Sequence, residues 1–202
     1  MSSSKSKRTR EFCSRSTALD TVKGLNLSGK TFAITGTTSG IGIETARALA
    51  LKGAHIVMLN RNVQESEKQK RRLQTEKSDV RIDIIRCDLS SLESVKSAAE
   101  EYKSRGFPLH ALILNAGVFG PNSKTTSDGF EAHFGVNHLA HFLLTRELLP
   151  ALRKCAPSRI VFVSSHSHNH TGLKKSMTIE EKMKRLCAEP SNELFYRLVV
   201  SE

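Results

Sequence analysis

The chain has 202 residues, 38% of them apolar and 25% charged, with 12 glycines, 5 prolines and a net charge of +11. That composition excludes collagen-like, low-complexity and wholly disordered chains, and the length allows one domain with a substantial core. Aromatics at 5% with no Trp, and no recognisable nucleic-acid motif, argue against a nucleic-acid partner despite the charge.

The first thirty residues hold seven basic and two acidic side chains, a net +5 of the total. Residues 1–28 therefore read as a basic, disordered leader in front of one domain spanning 29–202. No apolar stretch follows these charges, so they do not form a secretory signal. The Ser/Arg-rich start resembles a mitochondrial transit peptide, which makes import the alternative to a cytoplasmic location. Cys13, Cys87, Cys155 and Cys187 are widely spaced with no CxxC pair, as expected of reduced intracellular thiols rather than disulfides or a zinc site. No apolar run approaches the ~18 residues of a transmembrane helix.

From Thr31 onward, strand and helix patterns alternate. Thr31–Thr35 is a short apolar run closed by Gly36. Ile41–Leu51 has helical spacing and stops at Lys52-Gly53. Ala54–Leu59 is a second strand, Val63–Lys77 an amphipathic surface helix, and Val80–Arg86 a third strand. Leu92–Lys103 follows the capping residues Ser90-Ser91 and should lie on the surface. Ala111–Leu114 is a fourth strand. Ser127–Leu152 is one long helix that Pro150 should end, and Ile160–Val163 is a fifth strand. Five strands separated by helices predict an α/β, doubly wound parallel sheet, Rossmann-like, with helices on both faces. Runs such as ALIL and IVFV are apolar on both faces, as such a sheet requires.

Thr35-Gly36-Thr37-Thr38-Ser39-Gly40-Ile41-Gly42 lies between the first strand and the first helix. Glycines there permit a tight turn and let backbone N–H groups approach a phosphate, and the helix N-terminus adds its dipole. The spacing is GxxxGxG. An acid at the end of the second strand would accept a ribose 2′-hydroxyl and favour NAD. The chain has Asn60-Arg61 there, and a guanidinium suits the 2′-phosphate of NADP.

That glycine spacing resembles the short-chain dehydrogenase/reductase family, and the resemblance continues in register to Ser165. Asp88-Leu89 follows the third strand, where the family places an acid near adenine. Asn115-Ala116-Gly117 is similar to the family's NAG motif. Asn137 stands where the family has its helix asparagine, and Ser164-Ser165 where it has its catalytic serine, with Ser165 the better match. LNRN, VNHLAHF and VSSHSH look most like the retinol-dehydrogenase and WW-domain-oxidoreductase branch. The resemblance implies NADP bound by Gly36, Ser39, Gly40, Ile41, Gly42, Arg61, Asp88, Leu89, Asn115, Ala116 and Gly117. It also implies Ser165 and Asn137 in catalysis, on a hydrophobic, retinoid- or steroid-like alcohol or carbonyl.

In that family a tyrosine acts as acid and base, and a lysine four residues on lowers its pKa. No such pair occurs here. Tyr102 is followed four residues later by Gly106, Tyr196 by Val200, and the last lysine is Lys184. Tyr196 lies in the expected neighbourhood and reads as the residue preceding the motif, with the catalytic tyrosine itself as the alternative. The expectation is a sheet lacking the family's last strands, with the fifth strand at an open edge. The helix that commonly forms the family's dimer face would be missing too, which argues against dimerisation. A catalytically inactive product that binds NADP(H) or a protein partner is the alternative to an enzyme. His166, His168 and His170 have no Cys or paired acid at ligand spacing, so no metal is expected. His133, His138 and His141 read as ordinary helix packing. Glu180 and Glu181 should pair with Lys184 and Arg185 on a surface helix.

Overall fold

The computed structural model describes residues 12–121, 123–165 and 173–187. Five parallel strands form one sheet: β1 (Thr31–Thr35), β2 (His55–Asn60), β3 (Arg81–Arg86), β4 (Ala111–Leu114) and β5 (Arg159–Phe162), in the order β3-β2-β1-β4-β5. The connections are the helices α2 (Gly40–Leu51), α3 (Val63–Glu76) and α4 (Leu92–Ser104). They are followed by α5 (Ala132–Phe134), a π-helical turn (Gly135–Leu139) and α6 (Ala140–Lys154). Parallel strands need such crossovers, and the helices bury both faces of the sheet.

The two faces make two cores. On one side Ile34, Ile56 and Met58 of the sheet meet Ala46 and Ala50 of α2 and Leu73 of α3. On the other, Ala33, Val57 and Leu112 meet Val95, Ala98 and Ala99 of α4 and Leu144, Leu148 and Leu152 of α6. Alternate residues of β1 and β2 point to opposite cores, as the period-2 pleat dictates.

Four expectations change. Tyr102 is not a surface residue: it is fully buried on α4, and its hydroxyl donates to the Pro108 carbonyl at 2.9 Å. Burial pushes its phenol well above the usual range, so it remains a protonated structural tyrosine. The helix expected over 127–152 starts only at Ala132. Thr126–Gly129 is a turn instead, and Glu131 caps α5 by accepting from the His133 and Phe134 amides. The helix is then widened at the π turn, where one residue is accommodated outside the α pattern. Pro150 lies inside α6 on its exposed side, while buried Leu148 and Leu152 hold the last turn to Lys154 in place.

The stretch assigned to a leader contributes to the packing within its described part. A single helical turn, α1 (Ala18–Thr21), is closed by a reciprocal Thr17–Asp20 capping box. Val22 behind it is buried, and Leu27 packs against the α2-side core. A last helix, α7 (Ile179–Cys187), begins with a second such box: Thr178 N donates to Glu181 Oε2 at 2.7 Å, and Glu181 N to Thr178 Oγ1 at 3.1 Å. Glu181 thus serves the cap. Among the described residues β5 pairs with β4 alone, and Ile160, Val161, Phe162 and Val163 are 39–53% exposed. Among the described residues no helix is long and apolar enough to cross a membrane.

Candidate nucleotide crevice at the switch point

The chain leaves β1 toward β2 on one side and returns to β4 on the other, so a crevice opens between β1 and β4 at the carboxyl ends of the strands. Two backbone turns interlock there. Gly36 has φ +72°, and a Cβ on it would lie 2.8 Å from the Ala116 Cα. A Cβ on Gly42 would overlap the Gly36 carbonyl oxygen and stand 2.6 Å from Asn115 Nδ2. Glycine is required at both, by conformation at the first and by space at the second. Asn115 Nδ2 donates to the Thr35 and Gly36 carbonyls at 3.1 and 3.0 Å. Thr35 Oγ1 accepts from the Asn115 and Ala116 amides, both at 3.0 Å.

α2 starts at this turn with Ser39 as N-cap, and the Ser39 side chain makes no capping hydrogen bond. The first-turn amides of α2 are therefore not capped by Ser39, which leaves them available for a phosphate. Ser39, Gly40 and Ile41 are exposed at this helix start, with Ile41 at 70%.

Asn60 ends β2 and is buried. Its Oδ1 accepts from Thr37 N at 2.9 Å, and its Nδ2 donates to Thr37 Oγ1 at 2.7 Å and Ser66 Oγ at 2.9 Å. One amide thus ties the glycine turn to β2 and α3. Arg61 follows directly, lines the crevice, and is paired with no carboxylate among the described residues. At the end of β3 burial pushes the Cys87 thiol up to about 12, with the Asp88 charge adding to it. Cys87 is therefore a packing residue of the crevice wall. Asp88 Oδ1 accepts from the Ser90 amide at 3.0 Å and hydroxyl at 2.7 Å.

The crevice encloses about 120 Å³ and is lined by Gly36, Arg61, Asp88, Leu89, Ala116 and Gly117, together with Asn60, Cys87 and the apolar Val118 and Val136. Six of the sequence-selected residues thus meet on one surface. Asn115 and Gly42 stand behind it as the joint between the turns, and Ser39, Gly40 and Ile41 stand at its helix end. Asn137 lies on the π turn with its side-chain amide spent on backbone: Oδ1 accepts from Val118 N at 2.8 Å and Nδ2 donates to Val118 O at 3.0 Å. It clamps the loop after β4. Val163 N donates to Leu114 O at 3.0 Å, so Ser164 and Ser165 leave the sheet at the same end as Asn115. Tyr196 and the three histidines 166, 168 and 170 lie outside the described residues. Among the described residues no three His, Cys, Asp or Glu side chains converge as a metal site would need.

Sequence reasoning missed Asn60 as a structural joint, Thr35 as an acceptor and His141 as more than packing. The signal available for Asn60 was a polar residue closing an apolar run. For His141 the sequence carried none.

The sequence profile of short chain dehydrogenase matches residues 30–177. The chain belongs to that family. It is 44% identical over 161 residues to the WW domain-containing oxidoreductase of Gallus gallus, a match covering 80% of this chain and 39% of that protein. It is 43% identical over 145 residues to retinol dehydrogenase 11 of Homo sapiens, covering 72% and 46%. Against the polyprenol dehydrogenase of Danio rerio the identity is 38% over 164 residues, covering 79% and 49%. The chain thus spans somewhat under half the length of these relatives. Among solved structures, an oxidoreductase from E. coli superposes with a TM-score of 0.61 at 28% identity, over 71% of this chain and 60% of that one. A metagenomic short-chain oxidoreductase in complex with NADP gives 0.57 at 29%, over 66% and 61%. The family's doubly wound sheet is the fold found here.

Proposed function

We propose that the crevice binds a nicotinamide dinucleotide, NADP(H) in preference to NAD(H). The chain would then be the nucleotide-binding part of an oxidoreductase that interconverts an alcohol and a carbonyl on a hydrophobic small molecule. The observation carrying this is the interlock of Gly36, Gly42 and Asn115 beneath the start of α2: two turns packed backbone to backbone, with amides that Ser39 leaves uncapped and no room for a side chain. The relatives named retinol and polyprenol dehydrogenase support the substrate class, and the NADP complex of a structural neighbour supports the cofactor.

When bound, such a cofactor supplies the hydride. The chain's own residues bind and orient it. Ser39, Gly40, Ile41 and the α2 amides take the diphosphate, while Asp88 and Leu89 flank adenine. The Arg61 fork holds the 2′-phosphate through paired N–H donors. Ala116 and Gly117 form the floor. Asn137 sets the loop after β4, and Ser165 would hold the substrate oxygen. The 202 residues contain no Tyr-x-x-x-Lys pair, so the chain as it stands is proposed to bind the dinucleotide without completing hydride transfer.

Fluorescence titration tests both parts. NADPH should bind about tenfold or more tighter than NADH, and Arg61→Ala should remove most of that preference, on the scale of one lost charge-assisted pair. Equal binding of the two nucleotides, unchanged by Arg61→Ala, would overturn the NADP assignment. Measured NADPH-dependent reduction of a carbonyl by this chain would overturn the claim of binding without turnover.

A further inference from the structure

The loop after β4 and the end of β1 share one oxygen atom, and a buried histidine controls it. Thr35 Oγ1 accepts from two amides, Asn115 N and Ala116 N, both at 3.0 Å. Both lone pairs of the hydroxyl are thereby used, and only its proton is left to give. His141, 2% exposed at the start of α6, stands with Nε2 at 3.1 Å from that oxygen and Nδ1 at 3.2 Å from the Asn137 carbonyl. A carbonyl only accepts, so Nδ1 carries the hydrogen and Nε2 is the bare acceptor. The three pieces of chain joined here are widely separated in sequence: Thr35 and His141 are 106 residues apart.

We propose that neutral His141, in its Nδ1–H form, is a positioning residue of the nucleotide site. By taking the Thr35 hydroxyl proton it keeps both lone pairs of that oxygen on the Asn115–Ala116 turn, and by donating to Asn137 O it holds the π turn against the same joint. This rests on the crevice being the nucleotide site. Placing a proton on Nε2 sets donor against donor. The Thr35 hydroxyl then has to turn and release one amide, and the turn that floors the crevice loosens.

The surroundings keep the ring neutral. Thr35 from β1, Asn115 and Ala116 after β4, and Asn137 from the π turn carry no charge. The α4 side of the shared core consists of Val95, Ala98, Ala99 and the protonated Tyr102. His138, three residues back, adds a repulsion when charged. Burial, the largest cause, lowers the His141 pKa to about 4, against the hydrogen bond to the Asn137 carbonyl, which raises it.

The test uses the full chain, isotope-labelled, with NADPH as the probe. Long-range proton–nitrogen spectra should show His141 as the Nδ1–H tautomer from pH 8 down to about pH 5, with its signals assigned by their loss in His141→Gln. His141→Leu removes both bonds and should weaken NADPH about fivefold, the worth of one net hydrogen bond. His141→Gln keeps an acceptor for Thr35 and should recover most of that loss, which a purely space-filling role would not produce. Thr35→Val should weaken binding similarly, Thr35→Ser should restore it, and Thr35→Val with His141→Leu should add less than the two singly. An Nε2–H or charged His141 at pH 6 would overturn the proposal. So would unchanged Asn115 and Ala116 amide shifts and NADPH affinity in His141→Leu, or full additivity in the double variant. If His141→Leu does not fold, the tautomer and the Thr35 pair still decide. If the unaltered chain binds no NADPH, the nucleotide reading fails, while the tautomer and amide shifts still report on the joint.

Discussion

β2 and β5 are written in the same apolar language and end in opposite environments. His55–Asn60 is buried at all six positions, whereas Arg159–Phe162 is exposed at all four. β2 has a strand on each edge, with α2 and α3 on one face and the α4-side core on the other. β5 has β4 on one edge and, among the described residues, no strand on its other. A run that is apolar on both faces therefore encodes a strand suited to burial, and the neighbours decide whether burial happens. The β5 face is an exposed apolar edge of the kind that pairs with other chains.

The contrast is open to attack, and the largest expected effects come first. Met58→Ala on β2 removes a fully buried side chain and should cost about 2–5 kcal/mol in urea unfolding, while Val161→Ala on β5 should cost under ~1 kcal/mol. Equal losses would mean β5 is covered in solution. Gly42→Ala forces a Cβ into the Gly36 carbonyl and should cost up to about 3 kcal/mol, with NADPH binding lost beyond measurement. Gly129→Ala has φ +81° but open space around its Cβ, so it should cost only about 1 kcal/mol and leave binding intact.

Acid should act on the buried half. The folded-state pKa of His141 is lowered from 6.5 to about 4, so the unfolded chain takes up the proton first. The stability from this group is complete above pH 6.5 and falls as the pH drops from 6.5 toward 4, by on the order of 3 kcal/mol in all. His55, lowered chiefly by burial and partly offset by its 2.7 Å contact with Asp83, adds in the same direction. Urea midpoints measured between pH 7 and pH 4.5 should therefore decline, and His141→Gln should flatten the decline. Ile160→Lys should reduce light scattering at high protein concentration with little change in NADPH affinity, since Ile160 pairs with Leu112, two residues before the end of β4 that meets the glycine turn. The smallest effect belongs to the exposed Arg47–Glu76 pair between α2 and α3: Arg47→Ala should cost no more than about 1 kcal/mol, and less in high salt.

Local patterns determined much of this protein. The alternation of apolar runs and amphipathic stretches contains all five strands, each displaced by no more than a residue, and hence the doubly wound sheet. The glycine spacing placed the crevice, because the need for positive φ at Gly36 and for empty space at Gly42 is written in the residue type itself. Periodicity misjudged α4, where Tyr102 reads as polar on the surface and is buried once Pro108 offers its carbonyl. It also read through the segment before α6, because the turn at Thr126–Gly129 is pinned by Ser90, far away in sequence.

Only the tertiary structure decided which polar atoms meet. Asn60 joins the glycine turn to α3, Asn137 spends its amide on Val118, and His141 shares the Thr35 hydroxyl with the Asn115 turn. Each is a hydrogen bond between segments brought together by packing, and no periodicity records such a partner. The apolar pattern specifies faces and thereby builds the sheet. The chemistry of the crevice depends on single donors and acceptors a few ångströms apart, and those distances exist only after the faces have closed.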